Sequence, residues 1–317
     1  MKISVAMTVY NGERYLEKQL DSIRKQNVAI DELIACDDGS TDKSPVIFRN
    51  YILSNGLQDK WTYRRNELNK GYIRNFIDCA LQCNGDIVFF ADQDDVWEPD
   101  KISNMINIFN THPDAMVVCC SISCIDENDK SCDTLLTKHR IGHGNVEKVP
   151  FEKQVVSMRS SGLTLAVRRE CLVPTFDIIQ KYSLQYDSPF GLFYSIKGQF
   201  YRIYKPLVRH RVHATNASVP SYTFSSRKLD RHIKGREIQC RTLEIALERF
   251  GDELTDVQKK HLEKEIIYRK KAINALKERN TLELFGQLFR WGKMDNKAID
   301  ISNFLLAFRE KLRGDNI

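Results

Sequence analysis

Hydrophobic and polar positions follow two different periods in turn along the first hundred residues. Ile3–Val9 is a short apolar run, whereas Glu13–Gln26 carries apolar residues three and four positions apart, which is the spacing of a helix face. The same reasoning predicts strands at Glu32–Cys36, Trp61–Arg65 and Asp86–Ala91 and a helix over Tyr72–Cys83. Strands and helices that alternate in this way predict an α/β fold with a parallel sheet covered by helices on both faces.

Turn-forming residues separate these elements, and the pattern becomes looser after residue 100. Asp37-Asp-Gly-Ser40 ends the second strand, and Thr41 or Asp42 is predicted to cap the next helix, with Pro45 in its first turn. Residues 131–150 have the composition of a loop. The other elements predicted are helices at Lys101–Asn110 and Pro189–Lys197, strands at Met116–Ile125, Leu163–Arg168 and Phe200–Tyr204, a polar turn at Asp126–Lys130, and helices over about 224–250, 254–279 and 281–313.

Composition and charge add a boundary to this picture. The 317 residues are 42% hydrophobic and 28% charged, as in an ordinary globular protein. The net charge of +6 comes entirely from residues 221–317, which carry 21 basic and 15 acidic side chains, whereas residues 1–220 are balanced. This difference predicts a division of the chain near Pro220.

Membrane segments and disulfides are not expected from the sequence. The apolar runs are far shorter than the roughly 20 residues that a spanning helix needs, and no signal-peptide pattern precedes the first strand. The nine cysteines include no C-x-x-C pair and are interpreted as buried, reduced thiols. We therefore expect a cytoplasmic protein.

Candidate chemistry collects where the predicted strands end. In an open α/β sheet, ligands bind beyond the carboxyl ends of the strands, and the fourth strand ends in Asp92-Gln-Asp-Asp95. Three carboxylates within four residues repel one another and need a positive partner. A hard divalent cation, Mg²⁺ or Mn²⁺, fits oxygen ligands of this kind and usually brings substrate phosphates with it. The alternative is a solvated acidic turn without a ligand.

Four segments in the same order and spacing resemble the family 2 glycosyltransferases. They are Thr8-Val-Tyr-Asn11, Asp37-Asp-Gly-Ser-Thr-Asp42, Asn69-Lys-Gly71 with Arg74-Asn75, and Phe90-Ala-Asp-Gln-Asp-Asp-Val-Trp-Glu-Pro99. The resemblance covers about residues 1–215 and is firmest over the first 110. The last segment is similar to that of bacterial rhamnosyltransferase-type members.

The resemblance implies a GT-A-like, Rossmann-like fold with a mostly parallel sheet, helices on its flanks and a helical appendage at the C-terminus. Residues 1–110 would form the half that binds the nucleotide sugar, and residues 111–220 the acceptor-side half. Residues 221–317 would form a basic helical region.

The resemblance also implies roles for individual residues on the donor side. Thr8, Tyr10 and Glu13 would line the pocket of the nucleotide base, and Asp38 would accept a hydrogen bond from the base. Asp92 would approach the ribose or the metal. Arg74 and Arg211 would lie near the diphosphate, Gln93 would contact the nucleotide sugar, and Asp94 with His213 would hold Mn²⁺ or Mg²⁺. For Tyr10 and Arg74, the alternative is plain packing or surface exposure, and for the basic segment around Arg211 it is a basic edge strand.

A general base and two acceptor-side residues complete the implied site. Asp187 would remove the proton of the attacking hydroxyl; it precedes Ser188-Pro189 at a helix cap position, and capping alone is the alternative role. Many members of the family have His-Asp or Glu-Asp here, whereas this chain has Tyr186-Asp187. Trp97 and Gly162 would face the transferred sugar or the acceptor.

The sequence therefore predicts an inverting transferase that moves a sugar from a UDP- or dTDP-linked donor to a glycan or lipid-linked glycan in bacterial surface polysaccharide synthesis. Two alternatives remain open: a non-catalytic nucleotide- or glycan-binding protein on this fold, and a sugar-1-phosphate nucleotidyltransferase. The latter usually needs a glycine-rich basic loop after the first strand. Residues 221–317 could contact the inner face of a membrane, form a homodimer or pack on the catalytic domain; nucleic-acid binding is not expected because acidic residues interrupt the basic ones.

Overall fold

The computed structural model describes residues 1–132, 144–158, 160–213, 216 and 226–290, together with 304, 305 and 308. The strands are β1 (Ile3–Val9), β2 (Glu32–Asp37), β3 (Trp61–Arg65), β4 (Ile87–Ala91), β5 (Val96–Trp97), β6 (Val117–Ile125), β7 (Val146–Lys148), β8 (Leu165–Arg168) and β9 (Phe200–Arg211). The helices are α1 (Leu16–Arg24), α2 (Ser44–Ser54), α3 (Tyr72–Ala80), α4 (Lys101–Thr111), α5 (Phe151–Ser157), α6 (Leu172–Tyr182), α7 (Ser188–Ile196), α8 (Ser226–Phe250), α9 (Asp256–Lys277) and α10 (Thr281–Arg290).

These strands form one sheet in the order β3-β2-β1-β4-β8-β6-β9-β5, and β7 pairs with β9. The pairs among β1 to β4 are all parallel, whereas β8 is antiparallel to both of its neighbours. The expected α/β class, with a central sheet flanked by helices, is confirmed. The chain runs outward from β1 to β3 and returns to pair β4 on the other side of β1, so β1 and β4 flank a switch point where a ligand can bind.

Apolar sequence runs explain the buried strands. All five residues of β4 are buried, as expected for an interior strand with helices on both faces. In α1, the buried side chains are Leu16, Leu20 and Ile23 together with Gln19, so the apolar stripe read from the sequence is the face that packs inward. The eight most buried cysteines and the partly buried Cys132 are all free thiols.

Several elements differ from the sequence-based expectations. Strand β9 continues to Arg211 instead of ending at Tyr204, and α6, β5 and β7 were not predicted. Lys43, not Thr41 or Asp42, occupies the cap position of α2. Short or amphipathic elements of this kind depend on partners elsewhere in the chain, which local periodicity does not contain.

The chain divides into two compact units. Unit 1 contains Met1–Val149, Ser160–Phe190 and Gln199–Val219 and includes the entire sheet; unit 2 contains Pro150–Arg159, Gly191–Gly198 and Pro220–Ile317. In unit 2, α9 packs against α8 and α5. Arg269 donates to the carbonyls of Val155 and Val156 at 2.9 Å each, which satisfies the end of α5.

The predicted third C-terminal helix ends at Arg290 within the described residues, and most of its expected extension to residue 313 lies outside them. Over the described part of the chain, no helix has the length and apolar character needed to cross a membrane.

The close approach of Gly85 to β1 gives a test of this fold. A Cβ atom at residue 85 would lie 2.7 Å from the Ser4 nitrogen and 2.9 Å from the Lys2 carbonyl oxygen, both of which are backbone atoms that cannot move independently. We expect Gly85→Ala to lower the free energy of unfolding by about 1–3 kcal/mol, measured by chemical denaturation.

Gly235 provides the matched control because it lies within α8 with open space around its Cα. Gly235→Ala should raise the free energy of unfolding by about 0.5–1 kcal/mol, since alanine loses less conformational entropy in a helix. Equal effects of the two substitutions would contradict the packing of Gly85 against β1.

Candidate active site

The carboxyl ends of β1, β2 and β4 lie side by side. Val9 pairs with Asp37, and Met7 pairs with Ala91, in parallel registers. Tyr10, Asp38 and Asp92 therefore leave the sheet at one edge. The sequence predicted this edge as the site, and unit 1 supplies every residue of it described below.

The loops after β1 and β2 are joined by reciprocal hydrogen bonds. The Asn11 nitrogen donates to Ser40 Oγ at 2.9 Å, and the Thr41 nitrogen donates to Asn11 Oδ1 at 2.8 Å. The Glu13 carboxylate accepts a hydrogen bond from the Lys43 nitrogen at 2.9 Å. Glu13 thus binds the backbone at the start of α2. Thr8, near the end of β1, is partly exposed.

Asp38 is almost completely buried and holds the segment that leads into α3. Its two oxygens accept from Asn66 Nδ2 at 2.9 Å, the Lys70 nitrogen at 2.8 Å and the Gly71 nitrogen at 2.9 Å. A carboxylate has about four acceptor positions, so one remains for a further donor such as a nucleotide base.

Arg74 is exposed and already paired. Its Nε lies 2.9 Å from Asp78 Oδ1, and its terminal nitrogen donates to Gln180 Oε1 at 2.9 Å. A diphosphate would have to compete with Asp78 for this guanidinium.

Gln93 binds the backbone of Tyr10 with both ends of its amide. Tyr10 N donates to Gln93 Oε1 at 2.6 Å, and Gln93 Nε2 donates to the Tyr10 carbonyl at 2.8 Å. A side chain at Gly12 would overlap Gln93 Oε1. The predicted contact of Gln93 with the nucleotide sugar is therefore replaced by a clamp between the β1 and β4 loops, which leaves the ring of Tyr10 half exposed.

Asp95 turns inward and is fully buried. Its Oδ1 lies 3.0 Å from His210 Nδ1 and accepts from the Arg211 nitrogen at 3.0 Å, whereas its Oδ2 has no hydrogen-bond partner among the residues that the structure describes. Burial lowers the pKa of His210, but the hydrogen bond to Asp95 and the charges of Asp95, Asp94 and Asp92 outweigh it and raise the pKa to about 9. The carboxylate turn therefore favours the protonated form of His210.

Asp94 faces the residues that follow β9. Its Oδ2 lies 2.8 Å from His213 Nε2 and 3.4 Å from Asn216 Nδ2. Asn216 in turn accepts from the His213 nitrogen at 2.6 Å and so fixes the turn. The structure therefore brings together Asp94 and His213, the two residues predicted to hold a metal.

Asp92 is the carboxylate least engaged with protein. Burial and the negative charges of Asp95, Asp94 and Asp187 raise its pKa well above the usual range, and it has no hydrogen bond to any residue in the described part of the chain. No group of three or more His, Cys, Asp or Glu side chains suited to a metal occurs among the described residues. Two protein ligands suffice for Mg²⁺ or Mn²⁺ when substrate phosphates complete the coordination.

Arg211 does not occupy the position predicted for it. It is fully buried, and it donates to the carbonyls of Asp94 at 2.8 Å and Asp126 at 2.9 Å. Its guanidinium also pairs with Asp129 at 2.6 Å and lies over the ring of Tyr15. Arg211 therefore holds the carboxylate turn from inside instead of meeting a diphosphate.

Trp97 is also a structural residue and not a sugar contact. It is 2% exposed, and the Lys101 ammonium lies 3.6 Å from the centroid of its ring. Lys101 is itself buried and donates to the Leu163 carbonyl at 2.9 Å. Burial lowers the pKa of Lys101 to about 8, against the attraction of Cys120, Asp95 and Asp92. Neither Lys101 nor His210 was predicted from the sequence, because a lysine at a helix start and a histidine in a basic strand usually face solvent.

Asp187, the predicted general base, is fixed by hydrogen bonds from two backbone nitrogens. Its Oδ1 accepts from the Ser188 nitrogen at 2.7 Å, and its Oδ2 accepts from the Gly162 nitrogen at 3.3 Å. Burial raises its pKa, and these hydrogen bonds oppose the rise. A side chain at residue 162 would overlap the hydroxyl of Tyr186, so packing against Tyr186 accounts for the glycine that the sequence had assigned to the sugar side.

Sequence comparisons find similarity between this chain and known glycosyltransferases. A model of glycosyl transferase family 2 matches residues 4–169. An uncharacterized glycosyltransferase of Nostoc sp. is 27% identical over 252 residues, which cover 79% of this chain and 77% of the relative. The dTDP-rhamnosyl transferase RfbG of Shigella flexneri is 36% identical over 109 residues, but these cover only 33% of this chain and 37% of that protein.

The fold is also shared with a solved structure. The mannosyltransferase PcManGT of Pyrobaculum calidifontis, in complex with GDP-Man and Mn²⁺, matches 98% of this chain and 87% of its own chain, with a TM-score of 0.62 and 16% identity. At this identity the likeness extends to the GT-A architecture.

The buried His210–Asp95 pair predicts a pH dependence of stability. The pKa of His210 rises from 6.5 to about 9 on folding, so the protonated form is favoured in the folded state. Its contribution is fully present below pH 6.5 and is lost as the pH rises through 9. In the presence of a metal chelator, the free energy of unfolding of His210→Gln should be lower than that of wild type by up to about 3 kcal/mol near pH 6.5. The difference should disappear near pH 9.5.

Denaturation at several pH values measures this difference. His112 is partly buried, lies outside the site and has no carboxylate of the described residues hydrogen-bonded to its ring, so His112→Gln serves as the control and should give a difference that changes little with pH. A His210→Gln difference that does not change between pH 6.5 and 9.5 would show that His210 is neutral in the folded protein.

Proposed function

The chain belongs to glycosyl transferase family 2, and we propose that it transfers a sugar from a UDP- or dTDP-linked donor to a hydroxyl of a glycan or lipid-linked glycan with the help of Mn²⁺ or Mg²⁺. The observation that carries this proposal is the pairing of Asp94 with His213 at the edge that also holds Asp187. A metal-binding pair and a buried carboxylate near one another match the two requirements of the reaction.

The first requirement is stabilisation of the leaving nucleoside diphosphate. Asp94 and His213 would hold the cation, and a bound Mn²⁺ or Mg²⁺ supplies Lewis-acid stabilisation of the charge on the phosphate oxygens. Asp92, which lacks a hydrogen bond to the described residues, is free to bind the cation or the ribose. The inward-facing Asp95, His210 and Arg211 keep the turn in shape without taking part in binding.

The second requirement is removal of a proton from the acceptor. Asp187 carries out this step as general base, with its carboxylate oriented by Ser188 and Gly162. Its raised pKa brings it closer to the working pH and makes it a stronger base than an exposed aspartate. Attack by the hydroxyl on the face opposite the diphosphate would invert the anomeric centre.

The donor pocket would be formed by the residues near β1 and β2. Asp38 retains one acceptor position for the base, and the exposed ring of Tyr10 is fixed by Gln93, so both can face a nucleotide. Thr8 lies at the end of the same strand. RfbG is named as a dTDP-rhamnosyl transferase, which supports testing dTDP-rhamnose first. Residues 221–317 would contact the inner face of a membrane, because a lipid-linked acceptor would be located there, or would form a homodimer.

Metal-dependent nucleotide binding tests the donor site. UDP, dTDP and GDP should be titrated calorimetrically with and without Mn²⁺, and one of them should bind at least about tenfold more tightly with the metal, because the cation bridges the diphosphate and Asp94. Asp94→Asn should remove this metal dependence.

The exposed Asp114, which pairs with Lys148 and Tyr201, provides the control, since Asp114→Asn should bind as wild type does. If no nucleotide binds wild type in the presence of Mn²⁺, the donor assignment is wrong and the chain is better described as a binding protein of another specificity.

Substitution of the base separates binding from chemistry. Asp187→Asn retains the size of the side chain and an acceptable helix cap, so the nucleotide should bind with unchanged affinity. Release of nucleoside diphosphate from the nucleotide sugar should fall by about 10²–10⁴-fold, which is the usual contribution of a general base. A coupled assay of nucleoside diphosphate measures this rate; a rate within twofold of wild type would exclude Asp187 as the base.

A further inference from the structure

The ring of Tyr186, the residue before the proposed base, is fixed by other aromatic side chains. It stacks on Phe76 with centroids 4.5 Å apart and an interplanar angle of 19°. Phe90 lies 5.9 Å away, and Tyr72 meets the ring edge-on at 6.4 Å. With these contacts Tyr186 is only 6% exposed, so the position of its hydroxyl is determined by packing.

The hydroxyl of Tyr186 lies over Gly162. A side chain at residue 162 would overlap this hydroxyl, and the nitrogen of the same glycine donates to Asp187. The phenol is therefore next to the proposed base. Burial, followed by the charges of Asp92 and Asp187, raises the pKa of Tyr186 well above its usual range. The phenol remains neutral at physiological pH and can donate a hydrogen bond.

No residue in the described ranges accepts a hydrogen bond from Tyr186. Other phenols of unit 1 do have acceptors: Tyr201 donates to Asp114 at 3.0 Å, and Tyr72 donates to Gln185 at 2.6 Å. The aromatic cluster holds the ring of Tyr186 in place, so its hydroxyl cannot turn toward another protein acceptor and is available to donate to a bound ligand.

We propose that the hydroxyl of Tyr186 donates a hydrogen bond to an oxygen of the transferred sugar and thereby contributes to the choice of donor sugar. This inference rests on the proposed function. The anomeric carbon must lie between the diphosphate, which the cation at Asp94 would hold, and the base Asp187. The hydroxyl of Tyr186 lies against Gly162, whose nitrogen donates to Asp187. It is therefore beside the base, where the transferred sugar and not the nucleotide base would lie.

The substitution Tyr186→Phe tests the proposal because it removes one oxygen atom and preserves the aromatic packing. The affinities of UDP and UDP-glucose, and of dTDP and dTDP-rhamnose, should be measured by calorimetry in the presence of Mn²⁺. For whichever of these two pairs binds to wild type, Tyr186→Phe should lower the affinity of the nucleotide sugar by about tenfold, as expected for a lost hydrogen bond. The affinity of the nucleoside diphosphate should not change. The ratio of the two dissociation constants is therefore the quantity to compare.

Tyr201→Phe is the matched control, since Tyr201 is 5% exposed and its hydroxyl binds Asp114 away from the site; the ratio should equal that of wild type. A Tyr186→Phe protein with the thermal midpoint and the ratio of wild type would overturn this inference and leave the proposed function intact. Wild type that binds neither nucleotide nor nucleotide sugar would overturn both.

Discussion

The carboxylate turn after β4 depends on positive and hydrogen-bonding groups that arrive from β9. Burying a carboxylate without a partner costs several kcal/mol, and Asp95 is fully buried against His210 and the Arg211 nitrogen. Arg211 also binds the Asp94 carbonyl. The turn can therefore have this shape only when β9 is docked, and β9 in turn carries β5, β6 and β7 as its neighbours in the sheet.

The same interaction divides the turn into an inner and an outer side. Asp95 faces inward to His210, whereas Asp94 faces the turn after β9 and Asp92 has no hydrogen bond to the described residues. Gln93, between them, is bound to the backbone of Tyr10. Of these four polar residues, Gln93 and Asp95 are structural anchors, whereas Asp92 and Asp94 can contact a ligand. The anchors fix the positions of the outer carboxylates, and a site that is fixed in advance needs less reorganisation when a ligand binds.

The surroundings of Asp187 are assembled by a different kind of contact. Asp187 and Tyr186 are placed by Gly162 and by a cluster of aromatic rings, and Lys101 connects α4 to this region through its hydrogen bond to the Leu163 carbonyl. A buried lysine that lies over Trp97 also adds positive charge below the carboxylates without occupying their oxygens. Packing therefore positions Asp187, whereas charge pairing and hydrogen bonds position Asp94 and Asp95, and both arrangements lie within one GT-A architecture.

The sequence by itself determined the elements whose signal is local. The strands β1, β3 and β4 and the amphipathic stripe of α1 appear in the structure within a few residues of their predicted limits, because hydrophobic periodicity directly reflects which face is buried. The polar segments after β1, β2 and β4 do lie at one edge of the sheet, and Asp94 and His213, predicted to act together, are in contact there. Tertiary structure decided which charged side chains point inward. Arg211 and Trp97 are buried, and Lys101 and His210 became part of the site, because the free energy of burying a charge depends on partners more than a hundred residues away in the chain.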